Sequence, residues 1–155
     1  MLHTGMDGAD AVGSFNTQIK TDRSGKAYVN AYATSGGVID TPYVLLWHGS
    51  GYAATALGTG IRGKIGIPGE TVGSGSLAWY QVRGFASDVQ GAATSFTAGS
   101  FGHAIYWGGA TGLGCSASAY VGVASQVGIL MEDLGAGANS TTANIWLTGA
   151  ECTSI

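Results

Sequence analysis

Besides its hydroxyls, this 155-residue chain offers for chemistry three histidines, two cysteines, nine acidic and six basic side chains. A metal site needs several such ligands converging on one point, and its usual trace in sequence is a pair at short spacing. His3, His48 and His103 are isolated from one another, and Cys115 and Cys152 belong to no C-x-x-C pair, so no metal and no cofactor is implied. A serine nucleophile on a strand-to-helix elbow reads G-x-S-x-G, and no serine stands in that frame. Cys115 has His103 upstream of it, but a thiol and its base are made by geometry, and nothing local marks this pair. Glu132 and Asp133 are adjacent and project to opposite faces if a strand runs through them, which reads as a solvated strand end.

The sharpest string is Gly58-Thr59-Gly60-Ile61-Arg62-Gly63-Lys64-Ile65, which satisfies G-x-G-x-x-G. Cradling a phosphate requires a strand before this string and a helix after it, with the helix N-terminus facing the phosphate. Small residues precede it, Gly66, Pro68 and Gly69 follow it, and Ile65 stands where a magnesium-binding hydroxyl belongs. The chain is therefore read as a non-enzyme.

The remaining binding potential is aromatic. Trp47, Trp79, Trp107 and Trp146, with Tyr28, Tyr32, Tyr43, Tyr80 and Tyr106, lie in or beside strand-type runs. These runs are 27–33, 43–48, 61–67, 77–86, 103–108, 119–131 (read as two strands) and 143–148, separated by glycine clusters such as 35–37, 49–51 and 73–76. Alternation is clearest at the end, where Ala143, Ile145 and Leu147 share one face and Trp146 falls on the other, less buried one. No apolar 3.6-residue period persists, and one short helix around 50–58 is the most the pattern allows. The expected fold class is all-β, a small barrel or sandwich of short antiparallel strands. Core filling accounts for most aromatics; the others would line a sugar-binding face or a subunit contact, where Trp and Tyr supply rigid area with a polar handle.

Composition narrows the partners. Twenty-eight glycines accompany two prolines, 45% of residues are apolar and only 10% are charged, where an ordinary globular chain has about 25% charged residues. Net charge is -3 with no basic run, which excludes a phosphate-backbone binder and makes nucleic acid no partner. So few charges point either to a surface partly covered by other subunits or to a neutral β domain surfaced by Ser, Thr and Gly. No run approaches the ~18 apolar residues of a membrane span, and the opening MLHTGMDGAD has neither a basic nor an apolar export segment, so cytoplasmic synthesis is expected. The length fits one domain that needs no disulfide for its core, and whether Cys115 meets Cys152 stays open. Residues 1–20 scatter Met1, Leu2, Met6, Val12 and Phe15 among small and polar positions and read as an extended N-terminal arm, with 21–155 as the single β-rich domain. Such an arm packs on its own domain or on a neighbour, or stays disordered.

The order of motifs from Thr21 to Gly149 resembles the small head decoration, or capsid cement, proteins of tailed bacteriophages. The resemblance runs through Thr21-Asp22-Arg23-Ser24-Gly25-Lys26 and the stretch Gly66 to Val72. Its most specific part is Gly75-Ser76-Leu77-Ala78-Trp79-Tyr80-Gln81-Val82-Arg83-Gly84, which is similar to the family's G-x-x-x-W-x-Q-[VI]-x-G strand. Ala98-Gly99, His103 to Trp107, Val121 to Ala124 and Ala143 to Gly149 follow in the same order. The chain departs from the family's smallest members in its length and in the cysteine-bearing 109–118 segment.

The resemblance implies a non-enzymatic virion protein, made in the host bacterial cytoplasm, that binds the outer surface of a capsid and locks neighbouring subunits of the major capsid protein together. It favours a homotrimer whose arm, with Met1, Leu2, Met6 and Phe15, contacts the capsid. Tyr43, Trp47 and Trp107 are the expected subunit contacts. The alternative is a virion fibre, tail or carbohydrate-binding β module.

Overall fold

The computed structural model describes residues 19–91, 96–97, 99–108, 112–115, 125–135 and 139–154. Their elements are all strands: β1 (Ile19–Thr21), β2 (Ala27–Ala33), β3 (Tyr43–Trp47), β4 (Tyr52–Thr55), β5 (Arg62–Pro68), β6 (Leu77–Gln90), β7 (Phe96–Thr97), β8 (Ala104–Trp107), β9 (Leu113–Gly114), β10 (Gln126–Leu130), β11 (Asn139–Ser140), β12 (Thr142–Thr148) and β13 (Glu151–Thr153). Among the described residues no helix is long and apolar enough to cross a membrane.

Five strands close a small barrel in the order β2-β4-β3-β5-β6, with β6 returning to β2. All pairs are antiparallel except β2–β4, which is parallel because the β3–β4 hairpin folds back to insert β4 between β2 and β3. A five-stranded barrel has a narrow interior, so its inward positions must be small wherever a large ring already fills the space. Ala27, Ala31, Ala33, Ala54 and Ala78 line it around Val29, Leu45, Tyr43 and Tyr80, whose rings meet edge to face at 6.2 Å. Gly66 faces Tyr43 across β5–β3, where a Cβ would come within 2.8 Å of the Leu45 side chain and 2.9 Å of Tyr80 Cβ. Burial pushes the Tyr80 phenol up to about 12.

β6 is long enough to serve two layers. Leu77 to Arg83 pairs with β2, and from Arg83 onward the opposite edge pairs with β12. β12 continues through β10 and β8 to β9, and this second sheet packs its inner face on the outside of β3 and β5. The resulting core joins Val44, Ile65 and Ile67 of the barrel to Val89, Ile105, Trp107, Leu130, Ile145 and Leu147. β13 then returns to β5, and Lys64 Nζ donates to the Gly149 carbonyl at 2.7 Å, tying the last connection to the barrel wall.

The change of layer is made by two irregularities in β6. Between Gln81 and Arg83 the strand carries one extra residue opposite Ala27 and Tyr28, a bulge of the kind that bends a strand and increases its twist. Gln81 is buried and its Nε2 donates to the carbonyls of Arg83 (3.2 Å) and Phe85 (2.8 Å), while Gly84 adopts φ 91° with the Lys26 backbone against it. A side chain at 84 would need the left-handed region and would press on Lys26 Cα at 3.1 Å. Asp88, at φ 53°, forms the second irregularity opposite Asn144, whose Oδ1 accepts its N–H at 3.1 Å.

Several expectations change. The segment where at most a short helix was allowed, 50–58, contains β4; Ala53 and Ala54 are good helix formers, but here they fit between two strands and against a crowded interior. Ile19 and Lys20, assigned to the arm, pair with Val29 and Tyr28 as an edge strand of the domain. Glu132 and Asp133 lie beyond the end of β10 and anchor backbone: Glu132 Oε1 accepts from Asn144 N–H at 2.6 Å, and Asp133 Oδ1 accepts from Phe101 N–H at 2.8 Å. Part of the 119–131 reading, residues 119–124, lies outside the described residues.

Candidate functional site

Several of the groups considered for chemistry have structural partners. His103 Nδ1 accepts the Ser100 N–H at 3.1 Å. Both cysteines are free thiols in the core, and burial raises both above the usual thiol range, which leaves them in the unreactive protonated form. Cys152 Sγ donates to the Gln126 carbonyl at 3.1 Å. The glycine string at 58–65 leads into β5, a strand, so no helix N-terminus faces it, and its lysine is the one bonded to Gly149. Among the described residues no three His, Cys, Asp or Glu side chains converge as a metal site.

The expected contact residues divide. Met1, Leu2, Met6 and Phe15 lie outside the described residues. Trp107 is fully enclosed in the core of the second sheet, and Tyr43 stands in the barrel interior with its hydroxyl accepting the Val38 N–H at 2.9 Å. Neither offers surface to another subunit, which corrects the expectation for both: Tyr43 lies on the stretch of β3 that is buried on both faces, and Trp107 takes the core-facing side of β8, whose other face carries the half-buried Ala104 and Tyr106. Trp47 is 50% exposed at the end of β3.

Two surfaces were not legible before the strands were paired. On the outer face of the second sheet, Phe85, Trp146 and Ile129 stand directly opposite one another across β6, β12 and β10, and Ala104 of β8 continues the row. Phe85 and Trp146 are 38% and 37% exposed although each is flanked by apolar neighbours. The alternation in 143–148 marked Trp146 as outward; only the register brings Phe85 and Ile129 beside it.

The second surface is the outside of the barrel along β1, β2 and β6. Tyr32 pairs with Leu77 and Asn30 with Trp79, and Lys20 on β1 sets its ammonium 4.4 Å from the Trp79 ring centroid and 5.3 Å from that of Tyr28. The turn below it is fixed by Asp22, whose Oδ1 accepts from Ser24 N–H, Ser24 Oγ–H and Lys26 N–H. The Ser24 hydroxyl bond is the chief reason the Asp22 carboxyl is held below its usual range. Beside Tyr32, at the β3–β4 hairpin, lies a shallow cleft of about 340 Å³ lined by Tyr32, Thr34, His48, Ser50, Tyr52 and their small neighbours.

No family model and no curated protein sequence matches this chain.

Proposed function

We propose that this chain is a structural virion protein that decorates the outer surface of a tailed-phage capsid and stabilises the lattice by bridging subunits of the major capsid protein. The observation that carries the reading is the apolar row Phe85–Trp146–Ile129, laid across three paired strands and partly exposed. Such a face suits a symmetric contact between copies, for which a trimer is favoured. The edge strand β1, held by Lys20 over two aromatic rings, supports a role for residues 1–18 as the capsid-binding arm. Many modest contacts repeated over a lattice stabilise the assembled state without any catalytic group, because binding only the assembled form shifts the equilibrium toward it.

The test is deletion of residues 2–18 followed by co-sedimentation with expanded heads that lack this chain. The truncated protein should keep its β circular dichroism and melting temperature and lose head binding. Unchanged occupancy would overturn the arm's role.

A further inference from the structure

We propose that the cleft beside the β3–β4 hairpin binds a neutral saccharide, a role separate from capsid attachment. The hairpin loop is four residues long and is closed by the His48 N–H on the Gly51 carbonyl at 2.8 Å, with Gly49 at φ 79° supplying the left-handed step. It carries His48 and Ser50 at the cleft and leaves Trp47 and Tyr52 paired at its base. The Trp47 ring meets Tyr52 edge to face, centroids 5.1 Å apart and planes at 68°, which fixes the orientation of Tyr52. Tyr32 pairs with Ala53 on the outer face of the parallel β2–β4 pair, whereas Tyr52 shares the inward face of Ala31; Tyr32, 43% exposed, is therefore the ring that the outer side of the cleft presents.

The lining selects the ligand's chemistry. Among the described residues no Asp, Glu, Lys or Arg side chain lines the cleft, so no opposite charge would touch an ionic ligand there. Aromatic rings with a few polar groups form the usual balance of a small-molecule site. Among the described residues the side chains of His48 and Ser50 have no hydrogen-bond partner, and Thr34 Oγ1, which donates to the Ala54 carbonyl at 2.9 Å, keeps its lone pairs to accept. A purely apolar occupant would leave those groups unpaired on desolvation. A pyranose ring satisfies both demands: its polarised C–H face lies on the negative face of an aromatic ring, and its hydroxyls reach the polar rim at the edge.

The experiment titrates the full chain with three neutral hexasaccharides, of α-glucose, β-glucose and N-acetylglucosamine, and with an anionic hexauronate, using calorimetry and saturation-transfer NMR. At least one neutral probe should bind and the hexauronate should not. Tyr32→Ala should weaken that binding by about tenfold, and His48→Ala, an exposed loop change that leaves the barrel untouched, should weaken it several-fold. Phe101→Ala, at an exposed site elsewhere, should change nothing. Failure of all three neutral probes, a preference for the hexauronate, or full binding by the His48 variant overturns the proposal. Tyr32→Ala should retain wild-type occupancy on heads; a loss there would make this face a capsid contact and overturn the saccharide reading while leaving decoration intact.

Discussion

Gln81 makes the sharpest test of how the fold is held. Replacing it by Leu nearly conserves volume, so no cavity forms, but it removes the two amide bonds that span the β6 bulge, at 2.8 and 3.2 Å. Each such bond contributes about 1 kcal/mol net, and leaving its acceptor unpaired in a buried setting adds to the loss. The expected cost of Gln81→Leu is about 2–3 kcal/mol, or a fall in melting temperature of about 5–10 °C for a domain of this size. Urea unfolding followed together by tryptophan fluorescence and circular dichroism measures it, and coincident curves establish that one transition is being read. Gln81→Glu adds a pH signature. A carboxylate cannot donate to the two carbonyls, whereas the protonated acid can donate to one, so folding raises the carboxyl pKa above its unfolded value of about 4.3. The stabilisation from that bond is present below the unfolded pKa and disappears as pH rises through the raised one. Relative to wild type at the same pH, Gln81→Glu should therefore be less damaging at pH 4 than at pH 7. A Gln81→Leu cost under about 0.5 kcal/mol, or a Gln81→Glu penalty that ignores pH, refutes the assignment.

Three further outcomes follow from the packing. Tyr80 is fully buried and among the described residues its hydroxyl has no hydrogen-bond partner, so Tyr80→Phe should be neutral or stabilise by up to about 1 kcal/mol in thermal melts, and a comparable loss would contradict this. Because burial raises the Tyr80 pKa to about 12, its contribution holds below the ordinary tyrosine value near 10 and is lost as pH rises through 12; alkaline unfolding monitored by tyrosinate absorbance should move upward in Tyr80→Phe. Gly128→Ala places a Cβ against the Trp146 carbonyl of the neighbouring strand, backbone that cannot yield, and should cost about 3 kcal/mol, whereas Gly135→Ala meets open space and should stay within about 0.5 kcal/mol in the same urea assay. Cys115 and Cys152 should resist a thiol reagent in the native protein and both react in guanidinium; fast labelling of either in the folded state would contradict their burial.

Strands with outward and inward sides were legible from sequence. Residues 27–33 and 143–148 alternate or punctuate clearly, and β2 and β12 lie there. β4 was not, because its Tyr-Ala-Ala-Thr run owes its conformation to the narrow barrel around it and has no pattern of its own. β1 and β13 are three-residue edge strands, too short for any period to show. Gln81 and Gly84 stood out in a motif, yet their work, a side-chain bridge over a bulge and a left-handed step against Lys26, depends on a partner strand distant in sequence. The same dependence on register hid the Phe85–Trp146–Ile129 row and left unmarked that Tyr43 and Trp107 point into the two cores.

Copy number tests the central proposal most directly. Virus particles from the source material would be banded on a density gradient and this chain quantified by mass spectrometry against the most abundant capsid chain. A lattice-wide decoration protein predicts a ratio near one or a simple fraction of it. A handful of copies per particle would instead indicate a fibre or tail component, and absence from particles would contradict the capsid role altogether.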